Sequence, residues 1–167
     1  MNRACPGCGL EMPLRESAVN AGDYNASPEC WAVYTEVLAA EYSNALIFGR
    51  AHQLTVDTYA VQHAGGPHPD KSVAIHLCGL HLTLDRGVSP PTVPPILQRV
   101  AAETTQWPHF PPPPPATMRF MTVCDIALAA SPEEHVQKVR AWAEMVWRAW
   151  AVHHGAVAGL VGGVGVD

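Results

Sequence analysis

Apolar residues recur at steps of three and four after residue 27, and this spacing predicts a first helix with one apolar face. Ser27 suits the cap of that helix and Pro28 its first turn, where a missing N–H costs nothing. Gly49 is the predicted end. The residues of the apolar face are Trp31, Tyr34, Leu38, Tyr42 and Ala45.

The middle of the chain predicts further helices. One covers residues 52–63 and ends at Gly65-Gly66-Pro67, a strong breaker. The next covers 71–85 and is apolar nearly all round, which places it at the centre of a helical bundle. A short helix over 96–103 follows.

The C-terminal third begins with an ambiguous stretch, because residues 120–129 fit either a short helix or a strand. The run Ser131-Pro132-Glu133-Glu134 predicts a helix start, with a serine cap, proline in the first turn and a glutamate placed for a capping box. This last helix is expected to end near Gly155 or Gly159.

Two segments lack helical periodicity: residues 1–26, which are rich in glycine and proline, and Pro111–Pro115, which predicts an extended polyproline connector. The expected fold is mainly α, a bundle of about four to five helices with an N-terminal zinc-knuckle loop. We expect a single domain over 1–167. Its parts are a zinc-knuckle segment (1–26), helices (27–105), a proline-rich connector (106–118) and a C-terminal helical part (119–161).

Composition narrows the class of protein. The 167 residues are 48% hydrophobic and 15% charged, which favours a folded chain over a disordered one. The net charge of −5 argues against nucleic-acid binding, and no apolar run is long enough to cross a membrane. Without a signal-peptide pattern we expect a cytoplasmic protein, whose oligomeric state the sequence leaves open.

The segment Cys5-Pro6-Gly7-Cys8-Gly9 has the spacing of a zinc knuckle. Two residues between the cysteines let both sulfurs face one ion, and the glycines permit the turn. A redox pair is the competing interpretation of such a motif. It fits less well here, because the motif lies in an irregular loop and not between a strand and a helix.

Structural zinc needs four ligands, so the knuckle requires two more. Cys30 is the best third ligand, because it falls in the first turn of a helix, where the dipole favours a thiolate. A buried core cysteine is the alternative. The candidates for the fourth ligand are His63, His68 and His52, with Asp23 as a weaker candidate.

The nine histidines suggest a second site. His52 and His63 lie eleven positions apart on one face of a predicted helix, and His76 lies on the next helix. Together with Asp57 as an orienting carboxylate, these are the candidate catalytic residues of a site between facing helices. Isolated helical histidines are more often hydrogen-bonded core residues, and His109 and His135 are expected at the surface or in loops.

Five motifs resemble an uncharacterised family of bacterial proteins, a domain of unknown function found often in actinobacteria. The motifs are CPGCG (5–9), SPECWA (27–32), VDTYAVQH (56–63), IHLCGL (75–80) and VRAWAEMVWRAWAVHH (139–154). The resemblance implies that Cys5, Cys8, Cys30, His63 and His76 belong to one pattern. It also implies a histidine just before the tyrosine that matches Tyr24 in relatives, where this chain has Gly22-Asp23.

The sequence is compatible with three functions. The chain can be a metal-dependent enzyme that acts on a small molecule in a histidine-lined pocket. It can be a binding or adaptor protein with a purely structural zinc. A third possibility is an enzyme with an apolar pocket and no catalytic metal, in which tryptophans line the pocket.

Overall fold

The computed structural model describes residues 1–16 and 18–165, and most of them are helical. Strands β1 (Asn2–Ala4) and β2 (Glu11–Pro13) form an antiparallel hairpin. The mainly α fold expected from the sequence is confirmed. The helices are α1 (Pro28–Tyr42), α2 (Ala45–Ile47), α3 (Gln53–Gln62), α4 (Asp70–Leu84), α5 (Val93–Glu103), α6 (Val123–Ala127), α7 (Pro132–Ala149) and α8 (His154–Gly162).

Local capping explains where the helices begin. The Ser27 hydroxyl accepts a hydrogen bond from the Cys30 N–H, and the Ser131 hydroxyl accepts one from the Glu134 N–H. The predicted end of α1 at Gly49 is wrong, because α1 stops at Tyr42 and the Asn44 side chain caps a new helix. Helix termini need such partners for their free N–H groups.

Helix α2 continues into α3 through a π-helical segment, Phe48–His52. The helix predicted over 52–63 therefore begins further back in the chain, and its first residues have π geometry. A π turn holds an extra residue and shifts the side chains that follow it. His52 ends this segment, and His63 follows the last residue of α3.

Helices α3 and α4 lie in the centre of the core. In α4, Leu77, Leu80 and Leu82 are fully buried, which confirms the central position predicted for this helix. Helix α7 buries Val139 and Trp142 in the same core. Within the described part of the chain, no helix combines the length and the apolar character that crossing a membrane requires.

The C-terminal connections are held by hydrogen bonds. The ambiguous stretch 120–129 contains α6, which Thr122 caps in a capping box with Asp125.

The proline-rich connector is attached to the helices by hydrogen bonds of two histidines. The His109 ring pairs with Asp70 at 2.7 Å, and Nε2 of His153 donates to the Pro111 carbonyl at 3.0 Å.

Gln62 joins this connector region to the core, and its side chain is fully buried. Its amide donates to the carbonyls of Met118 and Met121, and its oxygen accepts a hydrogen bond from the Trp142 indole at 3.1 Å.

The substitution Gln62→Leu keeps the side-chain volume but leaves these three groups without their Gln62 partner. We expect the free energy of unfolding to fall by about 2–4 kcal/mol in urea titrations. Gln106→Leu, at an exposed position, is the matched control, and equal losses would contradict this role.

Candidate metal centre

Four ligand-type side chains from three parts of the chain meet beside the hairpin. Cys5 and Cys8 come from the hairpin turn, Cys30 from the first turn of α1, and His63 from the end of α3. Their ligand atoms all lie within 4.8 Å of one another. Cys5 is 2% exposed and the other three are fully buried. Of the four candidates for the last position, the structure therefore brings His63 to the cysteines.

The knuckle turn is closed by its own backbone. The Cys5 N–H donates to the Leu10 carbonyl at 2.8 Å, and the Gly9 N–H donates to the Cys5 carbonyl at 2.9 Å. Gly7 allows the turn to approach the rest of the site. A Cβ at Gly7 would lie 2.5 Å from the Asn25 carbonyl oxygen and 2.7 Å from Cδ2 of His63. Any side chain at this position would push the knuckle away from the histidine.

Hydrogen-bond donors surround the sulfurs. The Ser27 N–H donates to Cys5 Sγ at 3.4 Å, and the Tyr59 hydroxyl donates to Cys30 Sγ at 3.6 Å. Cys30 itself lies in the first turn of α1, close to the positive end of the helix. These donors and the helix end stabilise negative charge on sulfur, which is the form that binds metals.

The His63 ring is oriented by its own helix. Its Nδ1–H donates to the Tyr59 carbonyl at 2.8 Å, and the ring stacks on the Tyr59 ring with 4.0 Å between centroids. This leaves Nε2 as the free nitrogen, 3.4 Å from Cys30 Sγ. The backbone carbonyl of His63 accepts hydrogen bonds from Asn25 N–H and from His68 Nδ1. Metal-bound histidines commonly have their second ring nitrogen held by a hydrogen bond, as Nδ1 of His63 is held by the Tyr59 carbonyl.

The three clustered thiols change one another's pKa values. Hydrogen bonding with Cys30 lowers the pKa of the Cys5 thiol, whereas hydrogen bonds with Cys5 and Cys8 raise the pKa of Cys30. Three sulfurs this close cannot all carry a negative charge unless a positive ion lies between them. Three thiols and one imidazole nitrogen are a common donor set for a tetrahedral metal ion. The residues therefore fit a metal ion.

One family model matches residues 3–151, and it describes a family of unknown function, DUF5946. The chain belongs to this family. All four residues of the cysteine–histidine cluster lie within the matched range. No curated protein and no solved structure matches the chain.

The other candidate residues of this DUF5946 member lie in separate pairs. Nδ1 of His76 donates to Asp57 at 2.8 Å, and Nδ1 of His52 donates to Glu41 at 2.8 Å. Across residues 1–16 and 18–165, only the cysteine–histidine cluster brings three or more potential ligand groups this close. The structure thus assigns His63 to the cysteines and does not gather it with His52, Asp57 and His76 at one metal-sized point.

Sequence patterns alone misplaced His135 and missed its buried partner, Glu41. His135 was expected at the surface, but it is 6% exposed and donates to Glu41 at 2.9 Å. Glu41 is fully buried. It follows Val37 by four residues on the buried face of α1, so a carboxylate at apolar spacing was a signal of burial. Of the cysteines outside the cluster, Cys78 is buried and Cys124 is half-buried.

Proposed function

We propose that this protein binds one zinc ion, and that the ion is structural. The ligands are Sγ of Cys5, Cys8 and Cys30 and Nε2 of His63. The observation that carries the proposal is the complete set of four buried protein ligands within 4.8 Å. Structural zinc sites have four protein ligands, whereas catalytic sites keep one position open for water or substrate.

The ion's task is to hold the hairpin on the helices. The residues of β1 are exposed, and in β2 only Met12 is partly buried. Such a hairpin has little apolar surface to hold it in place, since two strands alone are marginally stable in water. A second contact is the ion pair between Arg3 and Glu29, at 3.7 Å. Zinc coordination would supply most of the remaining attachment.

Catalysis by this ion is less well supported than a structural role. A Lewis-acid mechanism needs a coordination position for the substrate, and four protein ligands leave none. A cysteine redox pair would use Cys5 and Cys8 alone and would leave the convergence of Cys30 and His63 unexplained. The proposal places the protein in a reducing compartment such as the cytoplasm, where thiols remain available to metal.

Elemental analysis of the purified chain tests the proposal. We expect about one zinc ion per chain in the wild type and less than a tenth of that in Cys8→Ser. Cys124→Ser is the matched control, because this thiol lies outside the cluster and contacts Met12, so it should retain the metal. A chain without metal, or a Cys8→Ser variant with full zinc content, would overturn the proposal. Iron in place of zinc would keep the site and overturn the assignment of the metal.

A further inference from the structure

A buried carboxylate away from the cysteines organises a second group of polar side chains. Glu41 is fully buried, and both of its oxygens accept hydrogen bonds. Oε2 accepts from His52 Nδ1 at 2.8 Å, and Oε1 accepts from His135 Nε2 at 2.9 Å and from the Thr55 hydroxyl. This arrangement fixes the direction of the His52 ring.

The hydrogen bond to Glu41 determines what His52 offers to solvent. A neutral imidazole that donates through Nδ1 has a lone pair on Nε2. Nε2 of His52 has no protein partner among the described residues and is not one of their buried unsatisfied atoms. The side chain is 13% exposed. In its neutral form, His52 thus presents an oriented hydrogen-bond acceptor.

Two aromatic rings contact the His52 imidazole, one of them stacked on its face. The Phe48 ring stacks on it with centroids 4.6 Å apart and an angle of 22°, and the Tyr42 ring lies at the same centroid distance. Phe48 and His52 belong to the π-helical segment, a geometry often found at functional sites.

His52 lies in the wall of a pocket of about 400 Å³. One wall is formed by Phe48, Gly49, His52 and Gln53, whose amide also donates to Asp57, and the other by Pro90, Pro91 and Pro94. The volume is in the range of small-molecule pockets, and such pockets combine apolar walls with a few oriented polar groups. Proline rings make the second wall stiff, so less entropy is lost when a ligand binds.

We propose that this His52 pocket binds a small, mainly apolar molecule with one hydroxyl group, of the class of simple phenols. The phenol O–H donates to Nε2 of His52, and the aromatic ring packs between Phe48 and the prolines. Glu41 acts as a positioning residue for His52. An organic anion fits less well, because the buried Glu41 carboxylate lies directly behind the imidazole. The site is independent of the zinc proposal.

The test compares p-cresol with toluene, which has the same ring and methyl group but no hydroxyl. Both probes are titrated into the full chain and followed by NMR. A hydrogen bond of ordinary strength predicts p-cresol binding about 3- to 10-fold tighter than toluene. In His52→Phe, which keeps an aromatic ring, we expect this preference to disappear while toluene still binds. His109→Phe, in the exposed proline connector, should keep the wild-type preference.

A second variant tests the location of the site even if His52→Phe fails to fold. A Cβ at Gly49 meets no atom of another part of the chain within 4 Å, so Gly49→Leu fits the helix and adds a bulky side chain to the pocket wall. We expect it to abolish the binding of both probes. The proposal is overturned if neither probe binds the wild type or if toluene binds as tightly as p-cresol. Binding retained in Gly49→Leu, or a preference for benzoate over p-cresol, overturns it as well.

Discussion

Removal of the metal with a strong chelator is expected to release the N-terminal hairpin and to lower the free energy of unfolding. A ligand that binds only the folded state stabilises it by about 4 kcal/mol when its free concentration exceeds its dissociation constant a thousandfold. Tightly bound structural zinc should therefore contribute at least this much. The measurement is urea unfolding of the chain with and without chelator, in the presence of a reductant.

Limited proteolysis shows where the stability is lost. The hairpin has few other anchors, so trypsin should cut after Arg3 and Arg15 in the metal-free protein before it cuts the helices. Addition of zinc should reverse both effects in the wild type, and the chelator should change nothing in Cys8→Ser. Unchanged stability and unchanged cleavage after complete metal removal would falsify the structural role of the ion.

Gly79→Ala is expected to destabilise the fold by about 2–4 kcal/mol, although alanine normally stabilises a helix by about 1 kcal/mol relative to glycine. A Cβ at Gly79, in the middle of α4, would lie 2.1 Å from Oδ2 of Asp57. The Asp57 carboxyl group cannot retreat easily, because it is fully buried and held by His76 and Gln53. Burial raises the pKa of this carboxyl group, and the hydrogen bond from His76 opposes the rise.

Urea unfolding midpoints measure this effect, and two variants control it. Gly155→Ala lies in α8 where a Cβ meets no atom within 4 Å, so we expect a small gain in stability. In the double variant Asp57→Ala/Gly79→Ala the steric conflict is absent. Adding Gly79→Ala to Asp57→Ala should therefore lower the free energy of unfolding only slightly. A gain from Gly79→Ala equal to that from Gly155→Ala would show that α3 and α4 separate freely at this point.

The starts of α1 and α7 were predictable because they depend on neighbouring residues. The serine–proline pairs at 27–28 and 131–132 cap their helices through hydrogen bonds that span three residues. The central position of α4 followed from its apolar sequence for a similarly direct reason. Two local features were nevertheless missed. Asn44 caps α2 shortly after α1 ends, and the π-helical segment then shifts the register of the helix that follows.

The ligands of the candidate metal centre were also only partly predictable from local sequence. Local spacing singled out Cys5, Cys8 and Cys30, because two of them share a turn and the third follows a helix cap. His63 was one of four candidates, and only the packing of the end of α3 beside the knuckle distinguishes it. The motif resemblance indicated membership of an uncharacterised family, and a family of unknown function matches residues 3–151.

The sequence by itself determined the helical class, the starts of α1 and α7 and the three cysteines, since each rests on contacts between residues close in the chain. Only the tertiary structure decided which histidine joins the cysteines and which carboxylate orients His52. The pair of Glu41 and His135 spans 94 residues, and Cys30 and His63 are 33 apart. Such pairs form because helix packing removes both groups from water, where each must find the partner that the fold brings to it.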